Sequence, residues 1–123
     1  MTKHIADTLR NNRKLIFTAQ SARNFHQRML ICKYVFEQGH VPLNPFNMFG
    51  YYLYELVPRN DVQEGNNNVL ARSDELWVFG DLSDGVLSEI RYAEELKLPI
   101  KYFSIAELPD HIIEVERKDL PEE

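Results

Sequence analysis

Residues 74–103 read DELWVFGDLSDGVLSEIRYAEELKLPIKYF. Glu75–Gly80 is a short run of β-branched and aromatic residues, the pattern of a buried strand. Asp81–Gly85 has turn composition. Val86, Ile90 and Ala93, with Leu87 and Leu96 beside them, then recur at helical spacing up to Lys97. Leu98-Pro99 stops that helix, and Ile100–Phe103 is a second apolar run of strand length. A strand, a helix and a strand within thirty residues describe a parallel pair joined by a right-handed crossover.

Outward from this unit the same alternation continues. Lys14–Ala19 predicts a further strand. Residues 22–38 predict a helix whose apolar face is Phe25, Met29, Cys32 and Phe36, with Gly39 as its stop. His40–Leu43 predicts a brief strand ended by Asn44-Pro45. Residues 46–60 are rich in aromatic residues and predict a loop with a short helix. A new helix starts near Pro58 or Arg59 and runs to about Arg72, although Gly65-Asn66-Asn67-Asn68 is poor helix material. Ser104–Glu123 is acidic, with one more strand at Ile112–Val115 before the chain frays. No internal repeat or low-complexity tract is present.

The expected fold is therefore α/β. It is a flavodoxin/Rossmann-like three-layer sandwich with a four- or five-stranded, mainly parallel sheet. The expected organisation is an N-terminal extension (1–13), one domain (14–104) and an acidic C-terminal tail (105–123). At 123 residues and 44% hydrophobic, the chain can bury roughly two thirds of its unfolded surface around one core.

Charge and composition exclude several functions. The net charge is −5, which disfavours duplex nucleic acid as a partner. Residues 1–40 nonetheless carry seven Lys/Arg against two Asp/Glu, enough for one small anion. No apolar run is long enough to span a membrane, and no secretory leader pattern opens the chain. A soluble cytoplasmic protein is expected. Cys32 is the one cysteine and reads as an inert core thiol. The four histidines lack ligand spacing, so no metal and no cofactor is expected. Gly80 and Gly85 do not make a phosphate loop.

In an open α/β sheet, ligands lie beyond the carboxyl ends of the strands. The residues there are Gln20, Ser21, Asn44, Pro45, Phe46, Asn47, Gly80, Asp81, Ser83 and Asp84. The densest polar group runs from Gly80 to Glu89. Glu89 is expected near the end of the first helical turn, where the helix dipole favours its ionised form and suits it to attack a substrate. Asp81 or Asp84 then holds a proton or accepts hydrogen bonds. The same spacing also fits a surface helix capped by Ser83 or Asp84, with Glu89 facing Lys101 or Arg91. Ser21 either caps a helix or meets a phosphate near Arg23. Asn44 and Asn47 either shape a turn or touch a sugar. Phe46, Phe49, Tyr51, Tyr52 and Tyr54 either stack on a base or pack in the core or a subunit contact.

The strings Asp74–Asp81, Ser83–Ala93 and Leu98–Phe103, together with Pro42–Phe46, resemble the nucleoside 2-deoxyribosyltransferase-like superfamily, most closely its small phage and bacterial members. The resemblance covers roughly residues 14–104. It implies hydrolysis or transfer at the N-glycosidic bond of a nucleoside or deoxynucleotide, with Glu89 as the nucleophile. Asp81 and Asp84 are implied to assist and Ser83, at the same turn, to contact the substrate; Gln20, Ser21, Asn44, Phe46, Asn47 and Gly80 from the strand-end rule, with Gly85 of the polar turn, complete the expected substrate contacts. The resemblance also implies a homo-oligomer. Thr18-Ala19-Gln20-Ser21 lacks the tyrosine of the transferases, and Ser83 stands where they carry a carboxylate, as in the nucleotide hydrolases of the group. A non-catalytic protein that senses or sequesters a nucleotide derivative is the alternative.

Overall fold

A computed structural model describes residues 2–50 and 53–123, without the side chains of Leu53 and Tyr54. The strands are β1 (Leu15–Gln20), β2 (Val41–Leu43), β3 (Glu75–Phe79), β4 (Ile100–Ser104) and β5 (Ile113–Val115). The α-helices are α1 (Arg28–Glu37), α2 (Pro45–Met48), α3 (Leu53–Leu56), α4 (Arg59–Ala71) and α5 (Asp84–Glu95). Sheet order is β2-β1-β3-β4-β5. The first four strands are parallel, with Phe17 opposite Leu43 on one side and Leu76 on the other. β5 joins β4 antiparallel. The α/β sandwich expected from the alternation is present, in its five-stranded form.

Helices cover both faces, so the inner strands are apolar on both. Phe17, Ala19, Leu76 and Val78 pack under α5 and the end of α4, against Val86, Ile90, Ala93 and Leu70. Ile16, Trp77, Phe79 and Phe103 face α1 through Ile31 and Val35. Phe79 stacks on Phe103 with centroids 4.8 Å apart, and Tyr34 meets that ring edge-on at 5.4 Å.

Three local expectations change. Residues 22–38 do not form one helix: Ala22–Gln27 is a 3-10 segment with a non-helical Asn24, and the α-helix begins at Arg28. The change of pitch rotates the buried face. Ile31, Cys32 and Val35 point inward, while Met29 and Phe36 are 62% and 54% exposed. The turn after β3 is shorter than predicted. Ser83 is the N-cap, its hydroxyl accepting from the Val86 N–H, so Asp84 and Gly85 already lie in α5. The tail does not fray after β5. A 3-10 turn at Arg117–Asp119 leads to Leu120, which is buried in the core, and Leu82 pairs with Glu122. The poor helix formers Gly65–Asn68 are helical inside α4, anchored by Val62 and Leu70 on its buried side. Tertiary burial outweighs their propensity.

Among the described residues, no helix is long and apolar enough to cross a membrane.

Gly80 closes β3 with φ +81°, and a Cβ there would sit 2.7 Å from Ile105 Cδ1. Gly80→Ala is expected to destabilise the fold by about 2 kcal/mol through backbone strain and overlap. Urea unfolding with an unchanged m-value checks this.

Candidate functional site

The order β2-β1-β3 means the chain leaves β1 in one direction and returns on the other side at β3. The loops after these strands therefore part, and a crevice opens between them. A cleft of about 470 Å³ lies there. Gln20, Ser21 and Arg23 line it from the segment after β1, and Pro45 and Phe46 from the segment after β2. Ser83, Gly85, Ser88 and Glu89 come from the start of α5, and Arg59, Gln63, Asn66 and Asn67 from one face of α4. Glu123 closes the rim.

Glu89 is the sixth residue of α5, two residues farther in than expected and within the second turn, where the helix dipole has faded. It is half-buried. Asn66 Nδ2 donates to its Oε2 at 2.8 Å. Burial pushes the carboxyl up from 4.5 to about 7, and the Asn66 hydrogen bond offsets part of that rise. The expected ionised Glu89 is thus replaced by a group near half-protonation at neutral pH, because desolvation disfavours the charge and the bonded partner is a neutral amide. Among the described residues, Asn66 Oδ1, buried in the same wall, has no hydrogen-bond partner, which leaves an acceptor beside the carboxyl for a donor from a ligand.

Asn44 is 2% exposed and organises the rim without reaching the cleft. Its Nδ2 donates to Thr18 Oγ1 at 3.0 Å and to Gln20 Oε1 at 2.9 Å. Its Oδ1 accepts from the N–H groups of Phe46 and Asn47, capping α2. Gln20 Nε2 in turn donates to the Asn24 carbonyl at 2.7 Å. One amide therefore fixes the ends of β1 and β2 together and sets where Gln20 and Phe46 stand.

Of the residues singled out in the sequence, Glu89, Gln20, Ser21, Arg23, Pro45, Phe46, Ser83 and Gly85 converge on this cleft. The other candidate site residues among the described ones do not. Gly80 and Asp81 line a separate hollow of about 230 Å³, where Asn24 donates to Asp81 at 3.3 Å. Asp84 is exposed on the first turn of α5. Asn44 is a buried strut, and Asn47 is exposed, bound to Arg28 and to the Cys32 thiol. Burial raises the pKa of Cys32, with Asn47 opposing, in keeping with an inert thiol. Tyr51, Tyr52 and the side chain of Tyr54 lie outside the described residues. Among the described residues, no three His, Cys, Asp or Glu side chains gather as metal ligands do.

Sequence reasoning missed Arg59, Gln63, Asn66, Asn67 and Glu123. The first four recur at i, i+4, i+7 and i+8, one helical face, a signal hidden by the weak helix propensity of the segment. No local pattern marks Glu123, which is placed by the long-range pairing of the tail with Leu82.

The raised pKa makes a stability prediction. Between pH 4.5 and about 7 the folded Glu89 holds its proton more tightly than the unfolded chain does, so stability falls as pH rises through that window. Glu89→Gln keeps the shape and removes the titration. Relative to wild type it should gain about 2 kcal/mol on moving from pH 5 to pH 8.5, a value reduced for the partial exposure of the site. Denaturant titrations at the two pH values check this.

A family model described as a domain of unknown function (DUF7768) matches residues 16–103, from the first buried position of β1 to the buried Phe103 of β4. No curated protein matches the chain. The four parallel strands, but for the end residues Leu15 and Ser104, with their crossover helices and most of the cleft fall within the matched segment, whereas β5 lies beyond it, and the chain belongs to the DUF7768 family.

Proposed function

We propose that the protein hydrolyses or exchanges the N-glycosidic bond of a nucleoside or deoxynucleotide, with Glu89 as nucleophile. The observation that carries this reading is the half-buried Glu89 carboxyl in the wall of a ligand-sized cleft, held by Asn66. The resemblance of residues 74–103 to nucleoside 2-deoxyribosyltransferase-like proteins supports it from the sequence side.

The chemistry follows from the group. As the glycosidic bond breaks, positive charge builds on the sugar and the base leaves with the bonding electron pair. The Glu89 carboxylate bonds to the anomeric carbon, and water or a second base later displaces it, as in a retaining glycosidase. Asp81 and Asp84 stand away from the cleft, so the proton for the leaving base comes from water. Phe46 offers an apolar surface to the base; its ring packs edge-on to Phe25 at 5.3 Å. Ser83 and Ser88 offer hydroxyls to the sugar. The resemblance carries a homo-oligomer with it, and the exposed Met29 and Phe36 of α1 supply apolar surface for such a contact.

Placement of both turn aspartates outside the cleft favours one second reading: a protein that binds a nucleotide derivative without cleaving it.

Chromatography of a panel of deoxynucleosides and their 5′-monophosphates, with and without an acceptor base, separates these outcomes. Free base without acceptor identifies a hydrolase, and exchange identifies a transferase. Calorimetric binding with neither leaves the binding protein. Glu89→Gln is expected to lower turnover by about a thousandfold, the order for loss of a covalent nucleophile; a wild-type rate overturns the assignment. Turnover should rise with pH through about 7 as Glu89 ionises. Asn66→Ala removes the bond that favours the carboxylate, so its pH midpoint should lie higher than that of wild type.

A further inference from the structure

The polar group at the rim of the cleft farthest along the chain is Glu123, and its carboxylate is occupied. Ser21 Oγ donates to Glu123 Oε2, and Arg23 Nη1 lies 4.0 Å from the same oxygen. Ser21 is 1% exposed, so its hydroxyl is a built feature of the wall and not a surface rotor. Arg59 contributes a second guanidinium to the same cleft. The tail that delivers the carboxylate is fastened at its root. Leu120 is 6% exposed within the core, the Leu82 N–H donates to the Pro121 carbonyl at 2.8 Å, and the Glu123 N–H donates to the Leu82 carbonyl at 3.3 Å.

A buried hydroxyl and one guanidinium at this carboxylate, with Arg59 lining the same cleft, form an arrangement that suits an oxyanion. We propose that Ser21, Arg23 and Arg59 form a subsite for a phosphate monoester and that the side chain of Glu123 is its internal occupant, displaced when such a ligand enters. The carboxylate engages Ser21 and Arg23 and lowers the apparent affinity by the fraction of time it is bound. A neutral ligand does not compete for these donors and enters without that penalty. The proposal shares its cleft with the glycosidic reading and does not rest on turnover, since anion binding is measured on the resting protein.

The test uses inorganic phosphate as probe, with binding followed by calorimetry in a chloride-poor buffer. Glu123→Ala keeps the backbone bond to Leu82 and removes the occupant. It should tighten phosphate binding about fivefold, which corresponds to an occupied fraction of roughly four fifths. Adding Arg23→Ala, an exposed change that leaves the core intact, should abolish the gain. The same measurement with 2′-deoxyadenosine 5′-monophosphate should show the fivefold gain, and with 2′-deoxyadenosine none, which separates a phosphate carried on a nucleotide from free phosphate. Unchanged or weaker phosphate binding in Glu123→Ala overturns the proposal. So does an equal gain for nucleoside and nucleotide, which marks the tail as a steric plug. Absence of base release in the panel above, with these affinities intact, removes only the catalytic reading.

Discussion

The parallel pairing of β1 with both β2 and β3 is the constraint on which the rest depends. A parallel sheet must be covered on both faces, so its inner strands have no solvent side on which to place polar groups. Ile16–Ser21 and all of β3 are buried. Polar side chains on these strands therefore gather toward their ends, where the chain turns away. At the carboxyl ends this gathers Thr18, Gln20, Ser21 and Asn44, and Asn44 is the group that joins them. Its amide meets two partners from β1 while its carbonyl oxygen caps α2. Each polar atom of the side chain is satisfied, which keeps a buried amide from costing stability. The cleft owes its shape to that satisfaction more than to any residue that lines it.

Two carboxyl groups at opposite ends of the sheet show how differently one side chain can be held. Glu75 opens β3 at the amino rim. Burial pushes its pKa up, yet the hydrogen bonds from Lys14 and Trp77 and the Lys14 charge outweigh that and hold it below the usual range. The Lys14 Nζ contact is 2.8 Å and the indole contact 2.9 Å. Among the described residues no cation is bonded to Glu89, and its side chain accepts from the neutral amide of Asn66. The first carboxylate is locked in its charged state and serves the fold. The second is pushed up to about 7 by burial, so its charge is not fixed near neutrality.

Much of this was legible in the chain. β3, α5 and β4 follow directly from Glu75–Phe103, and the strand-end rule alone names five of the cleft residues, Gln20, Ser21, Pro45, Phe46 and Ser83. The failures share a cause: each depends on something that local spacing does not encode. Met29 and Phe36 fall outside the core because a 3-10 segment precedes α1 and changes its phase. Asp81 leaves the cleft because Gly80 turns through positive φ and sends the next side chain toward Asn24. Asn66 and Asn67 were hidden by the low helix propensity of the residues around them. The charge state of Glu89 was misjudged because desolvation is a property of the folded surroundings, and a dipole argument drawn from position alone omits it.

Trp77 is the one tryptophan of the chain, and its setting has an optical consequence. The indole is 3% exposed and lies on the α1 side of the sheet, whereas α4 and α5, which line the cleft, cover the other. Its N–H is tied to Glu75, His40 meets the ring edge-on at 5.5 Å, and Lys101 Nζ sits 5.4 Å from the ring centroid. The emission of this fluorophore is therefore governed by charges at the amino rim and by the integrity of the sheet. A ligand seated at the opposite rim leaves that environment in place. Intrinsic fluorescence thus follows melting of this protein while remaining silent to occupancy.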